Sequence, residues 1–347
     1  MVLTKQNRTS KNRGAILLFT SICLKYFFDD NEESKIKIAD IALIFIIMYN
    51  LNIVGDNMKK LIKKIREYTG LSQTEFSYRI GVSFATINRW ENGHSFPTPL
   101  AQEKLYELCQ DYNVPAYEMI IDRIKNIEKT IELEEGRKLL YHGSKKGLVG
   151  EIAPKSRERC DFGKGFYMGT TPEQPLTLIC DFEDAKFYLV SIKINDLETI
   201  EIPVEIDWAM VVAYNRGKMD KVKGTKFYKK YSEMFVNKDL VIGSIADDRM
   251  FYVIDNFFKE IITDVALVNS LSALNLGKQY VAITNKACSL IKVEKEIEIS
   301  PFEMKILRKV SETNRQKGID FANEICKSYR REGKYFDEIL EEASKGE

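Results

Sequence analysis

Apolar residues mark out most of the elements. From Lys59 onward Leu61, Ile62, Ile65 and Tyr68 recur at helical spacing, and Gly70 ends that run. Ser72 followed three residues later by Glu75 is a capping-box start for a second helix, LSQTEFSYRI. Gly81-Val82 makes a tight turn, Ser83 opens a third helix, SFATINRWEN, and Asn92-Gly93 closes it. Phe76, Ile80, Val82, Ile87 and Trp90 are the expected small core. Residues 115–137 begin with a proline and turn charged and helical. Beyond Lys138 short strands are expected at LLYHGS (139–144), KFYLVSIKI (186–194), DLVIGSI (239–245), QYVAIT (279–284) and SLIKVEKEIEI (289–299). Helices are expected over 204–217, with Trp208, Val211 and Val212 inward, and over 249–262 and 263–275, the last capped by Thr263. From Pro301 the chain is charged and helical, with Phe321, Ile325, Tyr329, Phe336 and Ile339 as an apolar stripe.

Residues 1–57 differ in texture. A basic start leads into GAILLFTSICL, and a charged patch separates it from IALIFIIMYNLNIVG. Neither run reaches the roughly 20 residues a membrane-spanning helix needs. The preferred expectation is an upstream start, with Met58 as the true initiator; a membrane-associated leader is the alternative.

Composition narrows the function classes. In 347 residues acid and base nearly cancel, giving a formal charge of +1, so DNA binding would need a local basic face. Lys59, Lys60, Lys63, Lys64 and Arg66 supply one. Six cysteines without Cys-x-x-Cys fit a reducing cytoplasm, and two histidines, His94 and His142, exclude a three-histidine metal site within one chain.

The stretch LSQTEFSYRIGVSFATINRWENG, followed by Pro97, resembles the phage-repressor and Xre-like helix-turn-helix family. That resemblance implies a reader of double-stranded DNA. It implies Ser83, Phe84, Thr86 and Asn88 at base edges and neighbouring phosphates, Gln73, Arg89 and Asn92 at the backbone, and a homodimer on paired half-sites.

The densest oddity is CDFGKGFYMGTT, 160–171. Asp161-Phe162-Gly163 matches a kinase magnesium motif, but neither the Gly-rich loop nor the His-Arg-Asp loop of a kinase precedes it. Taken with His142-Gly143 at the end of LLYHGS, it resembles the H-Y-E branch of the ADP-ribosyltransferase fold, and most nearly a bacterial domain-of-unknown-function family, number 3990, with a DFGxGFY signature. The likeness runs on through VIGSIADDRMFYVIDNFF and LGKQYVAITNKA. It implies an NAD site made of His142, Gly143, Asp161, Gly163, Gly165 and Tyr167. In that site His142 holds a ribose hydroxyl, the main chain at Gly143 meets the nicotinamide carboxamide, and Tyr167 lies against the ring. Phe166 packs inward behind the glycine-hinged loop.

The sequence departs from that family where a glutamate is wanted. Gln279 stands at the start of the late strand and brings no charge for an oxocarbenium-like ribose. Asp248, beside Asp247, is the substitute carboxylate, and Arg249 is a candidate for holding a pyrophosphate. Asp248 and Gln279 are therefore the catalytic candidates. The expected organisation is a leader (1–57), a helix-turn-helix domain (58–122), a helical linker (123–137), an α+β ADP-ribosyltransferase-like domain (138–300) and a helical tail (301–347). Two functions stay open. One is a cytoplasmic DNA-binding protein that transfers ADP-ribose to a protein, a nucleic acid or water, a toxin or defence effector with an antitoxin-like partner. The other is a non-catalytic repressor that responds to NAD or ADP-ribose.

Overall fold

The computed structural model describes residues 58–246, 248–274 and 277–345; the expectations for 1–57 and for Asp247 lie outside them. The described chain falls into two compact units. One holds residues 58–97 except Tyr68–Gly70 and Arg79–Gly81, and the other holds those short pieces and everything from Thr98 on. The division comes at Pro97, earlier than the boundary expected at 122.

The first unit contains helix α1 (58–69), α2 (Gln73–Ile80) and α3 (Phe84–Glu91). The capping box forms as expected. Glu75 Oε2 accepts from Ser72 N at 2.8 Å, and Ser72 Oγ accepts from Glu75 N at 3.2 Å. Gly70, Gly81 and Gly93 each take positive φ, which lets the chain turn sharply at each helix end. Ile62, Ile65, Phe76, Ile87 and Trp90 are buried.

In the second unit α4 (Pro99–Asp111) and α5 (Ala116–Glu128) come first, and both pack on the long helix α12 (Pro301–Ser328). Phe302 N donates to Gln102 Oε1 at 3.0 Å, and Arg123 Nη2 pairs with Glu303 Oε1 at 2.7 Å. Glu303 also closes the capping box of α12 on Ser300. The stretch expected to be linker is therefore half integrated: Ile120, Ile121 and Ile124 are buried, and α5 ends at Glu128.

The strands are β1 (Arg137–Ser144), β2 (Phe166–Gly169), β3 (Lys186–Lys193), β4 (Thr199–Ile202), β5 (Leu240–Ser244), β6 (Lys278–Ala282) and β7 (Ile291–Ile297). They form one mixed sheet in the order β4-β5-β6-β2-β1-β3-β7. Only β4 and β5 run parallel, which fits interleaved helices and strands without a βαβ repeat. Strands β1 and β3 pair at eight positions, whereas β1 and β2 pair at one, Tyr141 with Gly169. The ladder is thinnest at that seam.

Side-chain alternation gives the sheet two cores. One face carries Leu140, Phe166, Met168, Tyr188, Leu240 and Tyr280. The other carries Val241 and Val281 against Phe162 and helix α7 (Ile206–Asn215), whose residues Trp208 to Ala213 are all buried. Helices α9 (Asp248–Phe258), α10 (Asp264–Ala273) and α13 (Phe336–Lys345) complete that side, with α6 (Glu173–Ile179) against β1. The tail does form a covering hairpin. Phe336 is buried in an aromatic cluster with Phe257 and Phe258, but Phe321 is 45% exposed and drops out of the expected stripe.

Candidate functional site

His142, Tyr167 and Gln279 come from three neighbouring strands, β1, β2 and β6, on either side of the thin seam. His142 Nδ1 lies 2.7 Å from Tyr167 O. A carbonyl only accepts, so Nδ1 carries the proton and Nε2 is left as an acceptor. The ring stacks on Phe166, centroids 4.2 Å apart, and burial pushes its pKa down to about 4, keeping it neutral at pH 7.

The expectation that the His142 and Tyr167 rings line one slot is corrected. His142 lies on the face of Phe166 and Tyr188, while Tyr167 packs on the face of Val281 and Phe162. The two meet only through the Tyr167 carbonyl. The reason is alternation within β2, which sends consecutive residues to opposite sides. Phe166 is buried, as expected.

Tyr167 acts on its own loop. Its hydroxyl donates to Gly163 O at 2.8 Å and accepts from Phe162 N at 3.0 Å, closing the turn that carries Asp161. Burial, and next the Asp161 charge, push the phenol's pKa upward. Gly163 needs its positive φ of 76° for that turn. Gly143 has a packing reason as well: a Cβ there would stand 2.5 Å from Pro175 O of α6. Gly165 sits against Val281 in the same way.

Gln279 is buried, not an exposed strand residue. Its amide donates to Asp161 Oδ2 at 2.9 Å and to Ser244 O at 3.0 Å. Asp161 Oδ2 also accepts from Ala246 N at 3.4 Å. Its other oxygen, Oδ1, takes both Nη2 (2.5 Å) and Nε (3.1 Å) of Arg216, whose guanidinium lies 3.4 Å from the centroid of the Phe251 ring. The carboxylate beside Gln279 is thus Asp161, from the glycine loop. Asp248 opens α9, and its side chain lies outside the described residues. Arg249, expected at a pyrophosphate, lies against α12 with Nη1 donating to Asn314 O at 3.5 Å. Sequence reading missed Arg216. Its only signal was a buried acid in an apolar loop, which needs a cation, and 55 residues separate the two.

In the helix-turn-helix unit Ser83, Phe84, Asn88, Arg89 and Asn92 are exposed on or beside α3, and Thr86 and Gln73 are half-buried. Ser83 caps α3 by accepting from Thr86 N at 3.1 Å. Asn92 Nδ2 donates to Asn88 Oδ1 at 2.8 Å. Gln73 is held by Glu91, which also pairs with Arg66 at 2.5 Å. Phe84, half exposed at the start of α3, and Tyr78, 85% exposed on α2, present rings to solvent.

Residues 62–119 match the family model described as helix-turn-helix (HTH_3), and residues 139–293 match the one described as a protein of unknown function (DUF3990). The first match points to DNA binding and transcription regulation. No curated protein and no solved structure matches the chain. Among the described residues no helix is long and apolar enough to cross a membrane.

Proposed function

We propose that this protein is a cytoplasmic DNA-binding regulator, dimeric on its operator, whose mixed-sheet domain is ADP-ribosyltransferase-like and binds NAD. The observation that carries the NAD reading is the state of His142. A neutral ring with Nδ1–H committed to Tyr167 O offers Nε2 to a donor such as a ribose hydroxyl. It does so next to Gly143, at a seam where the strands pair at one position. The neutral, buried Gln279 favours binding without turnover.

A second reading, transfer of ADP-ribose to a protein, nucleic acid or water, has one specific support. Asp161 sets a carboxylate 2.9 Å from Gln279 Nε2, restoring negative charge beside the position that lacks it. An effector of that kind would suit an antitoxin-like partner.

The test is calorimetry of the full chain with NAD, with a nicotinamide-release assay and a DNA gel shift run alongside. Saturable binding that His142→Ala weakens at least tenfold, with DNA affinity changed by NAD and no nicotinamide released, supports the regulator. Nicotinamide release by wild type and not by His142→Ala supports transfer. No binding by wild type refutes both.

A further inference from the structure

We propose that Arg216 is the residue that takes the diphosphate of the ligand, and that Asp161 holds it in reserve until that ligand arrives. The proposal rests on the NAD-binding reading and names the group that would answer the ligand's charge.

The two oxygens of Asp161 have different kinds of partner. Oδ2 is fixed by neutral donors from the ends of β5 and β6, Gln279 Nε2 and Ala246 N. Oδ1 is bonded, among the described residues, by Arg216 alone. The loop beneath Asp161 is closed by the Tyr167 hydroxyl. Removing the guanidinium would therefore leave the carboxylate in place.

Arg216 is the member able to move. Its side chain is 28% exposed against 8% for Asp161. It sits one residue past the end of α7, and Gly217 follows with φ 75°, so no helical hydrogen bond of its own turn pins it from the far side. Its guanidinium rests on the face of Phe251, and a planar fork of donors suits phosphate oxygens as well as it suits a carboxylate. Arg159 comes within 4 Å of the position a Cβ on Gly217 would take, which adds a second cation beside the outer end of the pair. A ligand bearing two phosphates can compete for Arg216, whereas a neutral ligand cannot. Once the arginine has moved, Asp161 is an unpaired charge beside Gln279.

The competition fixes the sign of the test. Inorganic pyrophosphate, ADP-ribose and NAD would each be titrated into the full chain by calorimetry. Arg216→Met, which keeps the bulk on Phe251, is expected to weaken all three by about tenfold or more, the loss of a charged hydrogen-bond donor set. Asp161→Asn frees the arginine and is expected to tighten pyrophosphate and ADP-ribose binding by about the same factor. Phe251→Leu loosens the resting place of Arg216 without touching the carboxylate. It is expected to shift binding in the same direction as Asp161→Asn and serves if that variant does not fold. A merely structural pair predicts weaker binding in all three variants, and that result overturns the proposal. So does wild type that binds none of the three ligands. Wild type that binds pyrophosphate through Arg216 but shows no preference for NAD would sink the NAD reading and leave the Arg216 site standing.

Discussion

Lowering the pH should destabilise the mixed-sheet domain through His142. The folded ring has its pKa pushed from 6.5 down to about 4 by burial, only partly offset by its bond to Tyr167 O. The unfolded chain takes up the proton near pH 6.5 and the folded chain near pH 4, so the unfolded state binds more protons throughout that window. Stability is fully present above pH 6.5, falls as pH drops towards 4, and levels off below. The whole interval corresponds to on the order of 3 kcal/mol, and the part between pH 7.5 and pH 5 to on the order of 2 kcal/mol. Urea denaturation of wild type and His142→Asn at pH 7.5, 6 and 5 isolates the contribution, because carboxylate titration is common to both. Wild type should lose about 2 kcal/mol more than the variant over that range. Equal losses would refute the buried, neutral imidazole and with it the assignment of Nε2 as an open acceptor.

Three other substitutions test local features. Gly143→Ala, whose new Cβ would meet Pro175 O at 2.5 Å, should cost about 1–3 kcal/mol by overpacking and be measurable as a lower denaturation midpoint. Tyr167→Phe removes both hydroxyl bonds that close the 161–164 turn; amide exchange at Phe162 should accelerate, and stability should fall by about 1–3 kcal/mol. Arg66→Met leaves Glu91, whose side chain is 5% exposed, with only Gln73 as its partner among the printed bonds; thermal unfolding of the helix-turn-helix unit should show a loss of about 3 kcal/mol and DNA affinity should drop with it.

Much of the architecture was legible along the chain. The capping box at Ser72 and Glu75, the glycine stops at 70, 81 and 93, and the cap at Thr263 are local signals, set by hydrogen bonds three or four residues long, and all of them form. The strands at 186–193 and 240–244 and the buried helix at 206–215 follow from apolar spacing alone, since burial of one face or of all faces leaves its own period. The residues of the candidate site were also found as a set, because glycines, an aromatic pair and a His-Gly step stand out in composition.

Their arrangement was not legible. That His142 and Tyr167 face opposite sides depends on the register across the β1/β2 seam, which no local pattern encodes. That Asp161 sits beside Gln279, 118 residues away, and pairs with Arg216 depends on where three separate segments dock. Sequence determined which residue types were present and which local turns they favour, because those energies act between neighbours. Tertiary structure alone decided which charge meets which, because a buried carboxylate takes whichever donors the packed core brings within about 3 Å.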